Sequence, residues 1–169
     1  MNTYDLTVPQ LAKMLRNVDR WLTAAAKHAE AKKFDPDTLV HARLAPDQFD
    51  LRRQVQTVCD NAKFLCCRLA GKDIPAHADT ETTLAQLHAR IATALALVES
   101  FKPADFAGAS ERKISLPWMQ GKWLTGDEYL IQHALPNFYF HLVTTYAILR
   151  HNGVDVGKRD FIGELPMHA

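Results

Sequence analysis

The chain has 169 residues, 47% of them hydrophobic and 23% charged, which excludes a disordered chain and suits one domain with a real core. With 20 basic and 19 acidic residues the formal net charge is +1, so no global field draws the protein to nucleic acid or to an anionic membrane. No window reaches the roughly 18 apolar residues of a membrane span, and MNTYDLTVPQLAKM lacks the basic start and apolar run of a secretory signal, so the expected location is cytoplasmic.

The first helix is predicted to begin near Thr7, an N-cap residue, with Pro9 tolerated in the first turn. Leu11, Met14, Leu15, Val18, Leu22 and Ala25 form its apolar face, and the pattern fades after His28. Pro36 and Pro46 break the next stretch, leaving a long connection with one short helix around 37–43. A second helix follows from Phe49 or Asp50 to Ala70, with Leu51, Val55, Val58, Ala62, Leu65 and Leu69 as its stripe and Gly71 as its stop. The third is predicted from Thr80 to Phe101, capped by Asp79 or Thr80.

RKISLPWMQGKW, residues 112–123, breaks the helical period. Ile114, Leu116 and Trp118 alternate and Gln120-Gly121 turns the chain, so a short hairpin or extended excursion is expected, packed on the helices. Trp118 and Trp123 there either cover a core face or line a pocket mouth. The fourth helix runs from Thr125 to His151 with a kink at Pro136. The tail after Asn152-Gly153 reads as a loop with a frayed end. The expected fold is all-α: a four-helix bundle in one domain, with a long first crossover.

The three cysteines, Cys59, Cys66 and Cys67, show no disulfide or CxxC spacing and read as small buried residues in a reducing compartment. No phosphate-binding loop, nucleophile elbow or HExxH is present. His28 and His88 read as exposed. His77 and His168 fall in loop or tail, His41 sits beside Arg43, and His151 lies in the last helical turn.

The fourth helix carries the most informative segment. His133, Asn137 and His141 are spaced four apart and form a polar row, flanked by Phe138 and other apolar residues. The outer pair is about 12 Å apart along the axis, so only adjacent members readily share one ion. His141 needs partners from another helix, and Asp60 and Cys59 are the candidates. An Asp60–His141 pair either ligates a metal or fixes the imidazole tautomer. A hydrogen-bonded, metal-free core cluster and an exposed position are the other readings of His141. Cys59, His133, Phe138, Trp118 and Trp123 complete the candidate pocket.

PNFYFHLVTTYAILRHNGVDVGKRDF, HARLAPDQFDLRRQV and CDNAKFLCCRLAGKDIP together resemble an uncharacterised bacterial branch of the DinB/YfiT-like superfamily. The resemblance spans nearly the whole chain. It implies a four-helix bundle, commonly a homodimer, in which many members hold a divalent metal through one His on the second helix and a His-x-x-x-His pair on the last. Some relatives are thiol-dependent transferases or isomerases. Carried over by position, the second His of the pair is His141, the first falls on Asn137, and the second-helix His falls near Cys59 or Asp60. The implied site is therefore Asp60, Asn137 and His141. It is harder in ligand character than a set of imidazoles, with zinc, nickel or manganese as the metal. Two functions follow as expectations: a metal-dependent enzyme with an altered site acting on a small, thiol-linked substrate, or a small-molecule-binding or structural homodimeric bundle that has lost the metal.

Overall fold

The computed structural model describes residues 2–167; His168 lies outside them. Helix α1 (Thr3–Lys32) starts a turn ahead of the expected Thr7. Asn2 is the cap: its side chain accepts from Asp5 N at 2.9 Å, and Asp5 reciprocates on Asn2 N at 3.2 Å. Thr7 sits inside the helix, its hydroxyl donating to Thr3 O at 2.6 Å. Pro9 therefore lies inside the helix, in its seventh position, where its missing N–H leaves the Asp5 carbonyl without its usual helical donor. The apolar face also runs past His28, since Ala29 is fully buried.

A short 3₁₀ turn (Pro36–His41) tucks Leu39 and Val40 into the core. Helix α2 (Leu51–Ala70) is capped by the Asp50 carboxylate on Arg53 N at 2.9 Å and ends at Gly71, whose φ of 66° is left-handed. Helix α3 (Leu84–Ser100) begins after the expected Thr80, because the reciprocal cap is made by Thr83 and Gln86. Residues 72–83 are an extended connection.

The expected hairpin is reduced to one antiparallel bridge, in which Ile114 and Leu124 exchange two 2.9 Å hydrogen bonds, and no strand forms among the described residues. Pro117 lacks an N–H for the ladder and opens a 3₁₀ turn (Pro117–Met119) instead. Gln120 and Gly121, at φ 51° and 83°, then reverse the chain. Ile114 and Leu116 are buried, but Trp118 breaks the alternation and is 65% exposed.

The expected fourth helix is a broken rod. Helix α4 (Gly126–Tyr129) passes through one wide turn (Leu130–Ala134) into α5 (Leu135–His151). Leu135 N bonds to Leu130 O, one residue further back than in an α-helix, which makes room for the ring of Pro136. Gly126 pins the rod against the excursion: a Cβ there would lie 1.8 Å from Ala109 O. The tail is ordered as far as Ile162, and residues 164–167 are exposed and outside any helix. Val154 and Val156 are buried, and helix α6 (Lys158–Ile162) stacks Phe161 on Trp21 at 5.6 Å, with Asn17 and Trp21 donating to backbone carbonyls of Phe161 and Asp160.

Among the described residues there are thus six α-helices where four helices were expected, and the four long ones surround a shared core. Helix α2 packs between α3 and α5, while α1 closes on α3 and α5. Cys59, Cys66 and Cys67 are free and buried, and burial pushes the Cys59 thiol up to about 12. Among the described residues no helix is long and apolar enough to cross a membrane.

Candidate functional site

The polar residues of α2 and α5 meet along their packed seam. On α2, Gln54, Asn61 and Arg68 recur every seven residues and so share one face. On α5 and the wide turn before it, His141, Asn137 and His133 do the same at four-residue steps. The two rows run antiparallel and form three rungs. His141 Nδ1 pairs with Gln54 Oε1 at 2.7 Å. Asn137 donates to Asn61 Oδ1 at 3.0 Å. Arg68 donates to the Tyr129 hydroxyl at 3.1 Å, and Tyr129 stacks on His133 with centroids 5.6 Å apart.

The first rung fixes the His141 tautomer. Gln54 Nε2 donates to Phe49 O at 3.2 Å, so its Oε1 faces His141 and Nδ1 must carry the proton. Phe49 stacks on the imidazole at 6.3 Å and Phe140 meets it edge-on at 5.2 Å. Burial and then the charge of Arg53 lower the His141 pKa, so the ring is neutral at pH 7. His133 is lowered for the same reasons, burial first and the charge of Arg68 second.

The far end of the ladder opens into a cleft of about 230 Å³ between α2, the wide turn and the excursion. Asn61, Arg68, His133 and Asn137 supply its polar wall, and Phe64, Trp118 and Pro117 its apolar one. Arg68 lies over the Phe64 ring at 4.7 Å and the Tyr129 ring at 5.8 Å, two cation–π contacts that help hold the guanidinium in place. Trp118 tilts over His133 at 5.9 Å. Two buried polar atoms of the lining residues, Asn61 Nδ2 and His133 Nδ1, have no hydrogen-bond partner. Orphans of this kind each carry a desolvation cost of about 1–3 kcal/mol until something binds them.

The structure does not bring Asp60 to His141. One residue along a helix is a rotation of about 100°, so Asp60 and Asn61 serve different neighbours. Asp60 Oδ1 instead accepts from Arg90 at 2.9 Å and Lys63 at 2.8 Å, both almost fully buried. Arg90 also bonds Glu81, Asp79 and Ala78 O, clamping the 72–83 connection onto α2 and α3. Burial alone would raise the Asp79 carboxyl, but the hydrogen bond and charge of Arg53, with help from Arg90, hold it below its ordinary value. Of the other expected pocket residues, Cys59 and Phe138 are buried in the core. Trp123 lies under Lys113, whose ammonium sits 4.5 Å over its ring. Trp118, His133 and Asn137 meet in the cleft.

This donor set does not fit a resident divalent cation. The ladder offers two imidazoles, His141 with Nδ1 already engaged and His133 stacked on Tyr129 at the other end, with neutral carboxamides turned to one another and a guanidinium. Among the described residues no group of three His, Cys, Asp or Glu stands close enough to hold an ion. Sequence reasoning passed over Gln54, Asn61, Phe64 and Arg68. Their signal was the seven-residue recurrence of polar side chains beside the apolar stripe of α2.

Comparisons with known proteins place the chain. Residues 3–162 match the family described as "Domain of unknown function (DUF1993)". A crystal structure described as that of a DinB family member protein from Shewanella denitrificans is similar over 98% of this chain and 94% of its own, with 54% sequence identity and a TM-score of 0.95. A search of curated proteins finds no match.

Proposed function

This chain belongs to the DUF1993 family of domains of unknown function, and from that premise we propose that it is a small-molecule-binding helical bundle that works without a resident metal. The observation that carries this reading is the pair of orphaned polar atoms, Asn61 Nδ2 and His133 Nδ1, on residues lining one cleft with Arg68 and Trp118. A buried polar atom without a partner is costly, and a cleft lined by the residues that carry such atoms favours a ligand that completes them. The ladder above the cleft supports the same reading. The positions that the DinB resemblance links to metal ligation are spent on side-chain pairs, which stiffen the seam.

The test has two arms on protein stripped with EDTA. Zinc, nickel and manganese are titrated by calorimetry, and a library of small polar fragments is screened by ligand-observed NMR. The expected result is no stoichiometric metal uptake, with fragment hits that weaken in Trp118→Ala. Stoichiometric metal uptake that disappears in His141→Ala would replace this reading with that of a metal-dependent enzyme.

A second reading, compatible with the first, concerns a second copy of the chain. The outer face of α5 is apolar: Phe140 and Val143 are 57% and 48% exposed, and Phe49 beside them on His141 is 50% exposed. A helix that is apolar on its outward side as well as its inward one is suited to a partner surface. A doubled mass in light scattering, returned to the monomer by Phe140→Glu, is the expected outcome. A monomer at micromolar concentration would remove the homodimer.

A further inference from the structure

The cleft also indicates what its ligand is. The inference below rests on the reading of the cleft as a ligand site. Arg68 is the ionised group of the wall, and no carboxylate lines the cleft among the described residues. Its guanidinium makes one hydrogen bond, to the Tyr129 hydroxyl, and lies over the Phe64 ring. The rest of its planar N–H fork is therefore held ready for a planar oxyanion, the geometry at which Arg excels. Asn61 lines the same wall, but its unpartnered Nδ2 is buried, so Arg68 is the donor within a ligand's reach. The excursion supplies an apolar wall, Trp118 and Pro117, while Phe64 lies on α2 beneath the Arg68 guanidinium. Trp118, at 65% exposure, gains apolar contact from a ring laid against it. The volume, about 230 Å³, is below the ~300–1,000 Å³ of sites for drug-sized ligands, so the body is about one ring in size.

We infer that the cleft recognises a small aromatic carboxylate, with Arg68 taking the carboxylate and Trp118 laid against the ring. A tetrahedral oxyanion fits this arrangement less well, because one guanidinium presents a single planar edge.

The probes are phenylacetate, its uncharged amide and phenylphosphonate, titrated into metal-free protein by calorimetry, with two-dimensional NMR to locate the perturbed residues. Phenylacetate is expected to bind at least about tenfold more tightly than the amide. Arg68→Gln should erase that preference, Arg68→Lys should restore part of it, and Trp118→Ala should weaken acid and amide by similar factors. Equal affinity for acid and amide in the unmodified protein, or tighter binding of the phosphonate, overturns the carboxylate assignment while leaving a ligand cleft in place. These comparisons use the unmodified protein, so they decide the matter even if Arg68→Gln folds poorly. Absence of any perturbation at Asn61, Arg68, Trp118 and His133 by all three probes and by the fragment library overturns the cleft reading itself.

Discussion

Asp60→Asn separates a structural carboxylate from a metal-ligating one. Asp60 is one-fifth exposed and is shared by Arg90 and Lys63, whose side chains are 3% and 4% exposed. Asparagine keeps an oxygen to accept from both but removes the charge. Arg90 retains Glu81 and Asp79, whereas Lys63 keeps only the neutral Nδ1 of His77 at 3.2 Å. Removing one partner of a buried ion pair costs about 3–5 kcal/mol, and the surviving hydrogen bonds and the partial exposure of Asp60 reduce that to about 2–3 kcal/mol. In a domain of this length the melting temperature should fall by roughly 4–12 °C. Urea denaturation followed by circular dichroism gives the free energy, and hydrogen exchange should show lost protection at residues 82–84, whose amides bond Gln86 and Asp37 beside the segment Arg90 anchors. A variant within about 0.5 kcal/mol of the parent would refute the clamp, and one that kept full stability but lost a bound metal would reinstate Asp60 as a ligand.

His133 and His141 are held neutral by burial, with folded pKa values below their ordinary 6.5. The unfolded chain therefore takes up protons first, so their contribution is complete above about pH 6.5 and declines as pH falls below it. Replacing both with Gln should flatten stability between about pH 6.5 and 5.5, and an unchanged slope in denaturation midpoints would contradict this. Gly126→Ala should cost about 3 kcal/mol or more, because its Cβ meets the Ala109 carbonyl; a melting temperature within a degree or so of the parent would show that the excursion is not pinned there. Phe161→Ala should cost about 2 kcal/mol and alter Trp21 fluorescence, since the ring stacks on Trp21 and meets Tyr146 edge-on. Unchanged emission and stability would show that α6 does not dock.

Helix α2 was legible in the sequence because its signals are local: an Asp cap, a stripe at three- and four-residue steps, and a glycine stop. The starts of α1 and α3 were misplaced because a lone Thr7 or Thr80 reads as a cap, while reciprocal pairs, Asn2 with Asp5 and Thr83 with Gln86, decide the matter. The kink at Pro136 was legible, but its form, a wide turn just before the proline, depends on backbone crowding that residue types do not display. Helix α6 exists through Trp21, some 140 residues away in sequence, so no local pattern announces it. The site was missed by a single step along α2. Asp60 is the more reactive side chain, but Asn61 faces α5, and which of two adjacent residues faces a given neighbour depends on how the helices are rotated against each other.

The most direct test of the account is a side-chain NMR titration of metal-free protein with phenylacetate, observing the indole N–H of Trp118, the amide groups of Asn61 and Asn137 and the guanidinium N–H of Arg68. The expected result is saturable shifts at these four residues, unaffected by EDTA. Shifts that appear only after zinc is added and centre on His141 would contradict it.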